Sequence, residues 1–118
     1  MSLAAAGLMC ATLALPSPAL AAAPLTPAQQ FKLHCGMVFA TIAAVQEQKD
    51  PRGKAYPPMA ERGREYFMRA VNGVMQSTGM TQDEVKALLW AQAQELARQG
   101  ELEKAAPLCL KSLEDSGL

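Results

Sequence analysis

No charged side chain occurs before Lys32, and within that stretch the apolar run Leu3 to Leu15 leads into Pro16-Ser-Pro-Ala-Leu-Ala-Ala-Ala23. An apolar segment that closes on small residues has the form of an export signal. This feature bounds the compartment, its redox chemistry and the length of chain left to fold. The run is about 13 residues long, whereas a spanning helix needs about 20, so removal is expected rather than anchoring. Two cleavage frames fit the small-x-small rule, Ala19-Leu20-Ala21 and Ala21-Ala22-Ala23. The second would place Pro24 directly after the cut, so cleavage after Ala21 is preferred. Signals usually open with Lys or Arg, and this one does not, which gives the expectation that the natural start lies further upstream. The chain thus divides into a signal peptide, residues 1–21, and a helical domain, residues 22–118.

Cleavage changes the cysteine count. Cys10 follows Gly7-Leu8-Met9, which is not the small-residue context of a lipidated cysteine, and it is expected to leave with the signal. Cys35 and Cys109 remain, near opposite ends of a domain of about 97 residues, and a domain of that size buries only about 65% of its unfolded surface. In an oxidising compartment such a pair reads as one disulfide. Closing a loop of about 75 residues is worth roughly 4 kcal/mol in the chain-entropy model. A reactive thiol pair and a metal site are the competing readings. The chain has no Cys-x-x-Cys, and two Cys with one His fall short of the four ligands of a structural zinc.

Punctuation in the remaining chain counts the elements. Thr26-Pro-Ala-Gln29 is a capping box with proline at the first helical position. It starts a first helix whose stripe is Phe31, Cys35, Val38, Ile42 and Val45. Lys49 to Pro58 holds three prolines and a glycine, which predicts an irregular loop of about ten residues. A second helix is expected from Pro58 to Thr78, with Met59, Gly63, Phe67, Ala70, Val71, Val74, Met75 and Thr78 on one side and Gly79 as its stop. Thr81-Gln-Asp-Glu84 is another capping box. It begins a third helix, Gln82 to Gln99, that buries Val85, Leu88, Leu89 and Leu96 and ends at Gly100. Because proline breaks a helix interior, the last segment predicts a turn over Gly100 to Ala106. A final helix with Pro107 in its first turn would then carry Leu108, Cys109, Leu110 and Leu113. No window alternates as a half-buried strand does. The fold class is therefore all-α, a small four-helix domain whose first and last helices are joined through Cys35 and Cys109.

Sharper chemical readings meet blander competitors. His34 beside Cys35 has the residue types of a thiol nucleophile and its base, but neighbouring helical residues point about 100° apart, and a bonded sulfur is no nucleophile. Met37, Met59, Met68, Met75 and Met80 with His34 could offer soft ligands to Cu(I). Their helical phases are mixed, and gap-filling in a small core explains them better. Tyr56 beside Pro57-Pro58 reads as a residue packing the loop onto the core, and Trp90 as either a core edge or an exposed contact residue. No cofactor and no metal ligand set is expected.

Charge is uneven along the chain. Lys49, Arg52, Lys54, Arg62, Arg64 and Arg69 outnumber Asp50, Glu61 and Glu65, while seven acids face four bases between Asp83 and Asp115. The whole chain carries no net formal charge, with pI near 6.6. Such asymmetry could steer a partner or a membrane surface. The spacings Glu61 to Arg64 and Glu65 to Arg69 favour internal pairing on a solvated helix face. A nucleic-acid partner has no support.

Two resemblances follow from these segments. Gln92 to Glu114, with Ala93, Gly100, Ala105 and Leu113 in register, faintly resembles one tetratricopeptide unit, but stacking repeats come in several copies and Pro107 departs from the pattern. The whole mature segment is similar to small exported bacterial proteins of unknown function. The likeness lies in the cysteine-bearing first helix, the Pro/Gly loop, the second-helix segment Ala60-Glu-Arg-Gly-Arg-Glu-Tyr-Phe67 and the late cysteine in Pro107-Leu-Cys-Leu110. The resemblance implies the helical fold and the Cys35 to Cys109 bond, and no activity.

No nucleophile elbow, phosphate-binding glycine loop or His-Glu-x-x-His occurs. The expected function is a non-catalytic periplasmic or secreted protein with an interaction or structural role and an unknown protein partner. The alternative is a carrier of a small apolar ligand between helices, suggested by the methionines and by Gly63, Ala70 and Gly73. Intact mass of the exported protein is expected to match Ala22 to Leu118 less two hydrogens, with no thiol alkylated before reduction. Alkylation of both thiols without reductant would remove the disulfide from the argument.

Overall fold

The computed structural model describes residues 24–118 and, in isolation, Gly7. The signal peptide, Cys10 and both cleavage frames lie outside the described residues. Four α-helices follow in order: α1 (Pro27–Glu47), α2 (Arg62–Thr78), α3 (Gln82–Leu96) and α4 (Glu101–Asp115), with a 3-10 turn, Pro51–Ala55, between α1 and α2. There is no strand among the described residues, and none of their helices is long and apolar enough to cross a membrane.

Both capping boxes form. Thr26 Oγ1 accepts from the Gln29 amide at 3.1 Å while Gln29 Oε1 accepts from the Thr26 amide at 3.0 Å. Thr81 and Glu84 do the same for α3. These bonds satisfy donors that a helix N-terminus leaves without partners.

α1 is the hub, packing against α2, α3, α4 and the 3-10 turn. Four of its five stripe residues, Cys35, Val38, Ile42 and Val45, are buried, but Phe31 is 40% exposed. A one-sided stripe is too narrow a description, because Leu33, Gly36 and Phe39 are buried as well. α1 is covered by three helices rather than by one.

Two buried clusters result. The larger gathers Cys35, Val38, Phe39, Ile42, Met59, Tyr66, Leu96, Leu102, Cys109 and Leu113. The smaller joins Leu33 to Ala70, Val74 and Val85. Phe39 and Tyr66 meet edge to face, with ring centroids 4.9 Å apart, a favoured aromatic geometry. Two glycines allow α1 and α2 to approach. A Cβ on Gly36 would lie 3.3 Å from Phe67 Cα, and one on Gly63 would lie 3.0 Å from Phe39 Cβ and 3.2 Å from Met59 Cβ.

Four boundaries differ from the sequence expectation. The Lys49–Pro58 stretch is not wholly irregular, because Asp50 caps the 3-10 turn by accepting from the Arg52 amide at 2.9 Å. α2 begins at Arg62 rather than Pro58. Tyr56 is extended ahead of Pro57, as a residue before proline must be, and the Met59 amide is taken by Gln46 Oε1 at 3.0 Å. α4 is continuous from Glu101, so Pro107 lies inside it and not in a first turn. The turn expected over Gly100 to Ala106 shrinks to the link between Leu96 and Glu101, where Gly100 takes a left-handed φ of 81°. Proline in a helix interior costs about 3 kcal/mol. Here Pro107 and Glu103, whose carbonyl loses its helical donor, are both exposed, so water can serve that carbonyl. Leu102, Ala106, Cys109 and Leu113 are at most 4% exposed and hold the helix through the break. α3, for its part, ends at Leu96, three residues before the expected Gln99.

Gly63→Ala is expected to destabilise the oxidised protein by about 1–3 kcal/mol through overpacking. Gly73→Ala, where nothing lies within 4 Å of the added Cβ, is expected to stabilise it by about 0.5–1 kcal/mol through helix propensity. Urea unfolding of the two variants checks both signs.

Candidate functional site

Cys35, in the middle of α1, and Cys109, in the second half of α4, are bonded to one another. Their Cα atoms are 5.0 Å apart, within the range a disulfide spans without backbone movement. The bridge joins residues 74 apart in sequence, and both cysteines are buried, at 0% and 1% exposure. Phe39, Ile42, Leu102 and Leu113 belong to the same cluster. The bridge is thus inside the core, where solvent reductants do not reach.

The other residues that carried chemical readings are dispersed. His34 Nδ1 lies 2.9 Å from Gln92 Oε1, a contact that ties α1 to α3 and occupies a ring nitrogen of the lone imidazole. Met59 belongs to the larger cluster and Met37 packs on it, while Met75 and Met80 pack on the smaller one and Met68 is 45% exposed. The methionines are not brought to one place. Gly63 and Ala70 are buried, but Gly73 is exposed, so the three small residues of α2 do not line a common space. Trp90 is 68% exposed, so it lies on the surface and not at the edge of the core. Leu108 on α4 is exposed to nearly the same degree.

Polar side chains fasten the elements in ways that spacing did not show. Gln46, near the end of α1, donates from Nε2 to the carbonyls of Gly53 at 3.1 Å, Tyr56 at 3.3 Å and Pro57 at 2.9 Å, and its Oε1 takes the Met59 amide. One amide side chain therefore holds the whole α1–α2 connection. Gly53 is needed there, since an added Cβ would fall 2.8 Å from Gln46 Cγ. Tyr66 on α2 shares a 2.7 Å hydrogen bond with Ser112 on α4, and Gln29 bonds Ser77 through their side chains. Glutamine in a polar run gives no sequence signal for such a clamp; only its position beside a proline-rich loop hints at it.

The charges pair partly as spacing suggested. Glu65 and Arg69 meet at 3.0 Å, but Glu61 and Arg64 do not form an ion pair. Glu61 occupies the N-cap of α2 and is not yet on its helical face. Arg62 instead reaches α4, donating to the Leu118 main-chain oxygen at 2.6 and 2.9 Å and to Glu114 at 3.3 Å. Basic and acidic halves of the chain thus meet at this point. Asp50 is held below the usual carboxylate range by hydrogen bonds from the Arg52 side chain and amide. Burial, with Glu103 nearby, raises the Tyr56 phenol above its ordinary value.

Two surface recesses stand out. One, of about 560 Å³, lies where Thr41 and Val45 of α1 face the α3–α4 link, with Arg52, Arg98 and Glu103 at its edge. The other, of about 600 Å³, is a groove between α1 and the start of α2, walled by Ala40, Ala43, Ala44, Met59, Ala60 and Phe67.

Replacing Gln46 by Leu strands the Met59 amide and the loop carbonyls. It is expected to cost about 1–3 kcal/mol and to raise hydrogen exchange at Met59, whereas Gln48→Leu, at an exposed site, is expected to stay within about 0.5 kcal/mol. Denaturant unfolding with amide exchange reads both.

No protein-family model matches the chain, and no curated protein or solved structure is significantly similar to it, so its own geometry has to carry the functional reading.

Proposed function

We propose that this chain is an exported, disulfide-locked helical domain with no catalytic role of its own, acting by association with a partner in an oxidising compartment. The observation that carries this reading is how its reactive side chains are used. Cys35 and Cys109 are bonded within the core, and a ring nitrogen of His34 is held against Gln92. Thiols and imidazole are the groups best suited to nucleophilic and acid–base work near neutral pH, and here they serve as fasteners. Disulfides persist in exported proteins and are rare where thiols are kept reduced, which agrees with the uncharged leader. Trp90 and Leu108 supply exposed apolar area of the kind that anchors protein contacts.

A carrier of a small apolar ligand is the second reading, favoured by the α1–α2 groove rather than by the small residues of α2. Expression of the full chain in a bacterium, thiol blocking and native mass spectrometry of the periplasmic fraction test the main proposal. The expected species is the oxidised chain without its leader, in complex with a protein, and less of that complex with Trp90→Ala. Retention of the chain with reduced thiols in the cytoplasm, or recovery from the periplasm without a protein partner, would overturn it.

A further inference from the structure

We infer that the groove between α1 and α2 is a binding site for an amphiphile with one apolar chain and an anionic head, of the long-chain carboxylate class. This deepens the carrier reading and rests on it. The floor is made by Ala40, Ala43 and Ala44 of α1, whose short side chains leave an open trough, and the opposite wall by Met59 and Phe67. Gly36 keeps the Phe67 ring down against α1, because a Cβ there would lie 3.3 Å from its Cδ2. A volume of about 600 Å³ falls within the range of about 300–1,000 Å³ for small-molecule sites. The lining is mostly apolar, which suits a hydrocarbon chain.

The sign of the head group follows from the arginines. Arg52, Arg62, Arg69 and Arg98 each hold a carboxylate, from Asp50, Glu114, Glu65 and Glu95 respectively. Arg64 holds none, and it is the arginine that lines this groove. Glu61, three residues before it, forms no ion pair with it and stands at the N-cap of α2 without a side-chain hydrogen bond. A guanidinium presents a planar fork that matches a carboxylate. Glu47, next to Gln46, also lines the groove, and its charge repels an anionic head. The two charges orient the ligand, with its head at Arg64 and its chain along the alanines.

Titration of the purified, oxidised full chain with laurate, dodecanol and dodecyltrimethylammonium, followed by calorimetry and by amide chemical shifts, tests the assignment. Laurate is expected to bind most tightly and to shift the amides of Ala40, Ala44 and Phe67. Arg64→Gln is expected to weaken laurate about tenfold, the scale of a charge-assisted hydrogen bond, while changing dodecanol less than about twofold. Ala44→Phe, at an exposed position that leaves the core intact, is expected to abolish binding of both, with circular dichroism and urea midpoint reporting that the fold survives. Equal affinity for the cationic amphiphile, laurate shifts elsewhere on the domain, or a groove closed by a second copy of the chain would each overturn the inference. Failure here with a protein complex still recovered from the periplasm leaves the main functional proposal standing. Laurate binding by a chain recovered without a protein partner would do the reverse.

Discussion

Every element of this domain is positioned by contact with α1, and α1 is fixed to the far end of the chain by the buried Cys35–Cys109 bond. The small size of the domain makes that covalent constraint important. A domain of about 95 residues whose core is split into two separate buried clusters has a limited apolar driving force, and native domains are stable by only about 5–15 kcal/mol. Closing a loop as long as the one between α1 and α4 removes about 4 kcal/mol of disorder from the unfolded chain. The bond also decides topology, because α4 must return to the middle of α1 before the larger cluster can close.

Polar fastening then does what apolar area alone cannot. The Gln46 amide gathers three carbonyls and an amide of the α1–α2 connection, the Tyr66 hydroxyl reaches Ser112, and His34 reaches Gln92. Each of these joins two elements rather than stabilising one. Gly36 and Gly63 let α1 and α2 come close, and the groove lined by the alanines lies between the same two helices.

Much of this was legible from residue order. The two capping boxes placed the starts of α1 and α3 at Pro27 and Gln82, because a Thr-x-x-Gln or Thr-x-x-Glu box is a local structure that tertiary packing has no reason to disturb. Gly79 marked the end of α2 by the same logic, with its left-handed φ of 73°. Rules that describe a helix in isolation did worse. Pro107 predicted a break that buried neighbours on both sides override, and Pro58 predicted a helix start that comes only at Arg62. The α1 stripe held at Cys35, Val38, Ile42 and Val45 and missed at Phe31, and it was too narrow, since Leu33, Gly36 and Phe39 are buried against further partners. The cysteine pair was readable from count and compartment alone, whereas the groove was not. Its charged edge depends on Arg64 remaining without the ion pair that the Glu61 spacing suggested.

The disulfide has one further consequence, for survival under proteolysis. The α2–α3 junction around Gly79 to Gln82 is mostly exposed, the kind of surface link that proteases find first. A cut there, or anywhere between residues 35 and 109, leaves two fragments that still share a covalent bond through the middle of the core. Such a nicked molecule cannot diffuse apart, and its helices keep the high effective concentration of an unbroken chain. A protein of this design can therefore be clipped once and persist as a two-chain form of the same domain.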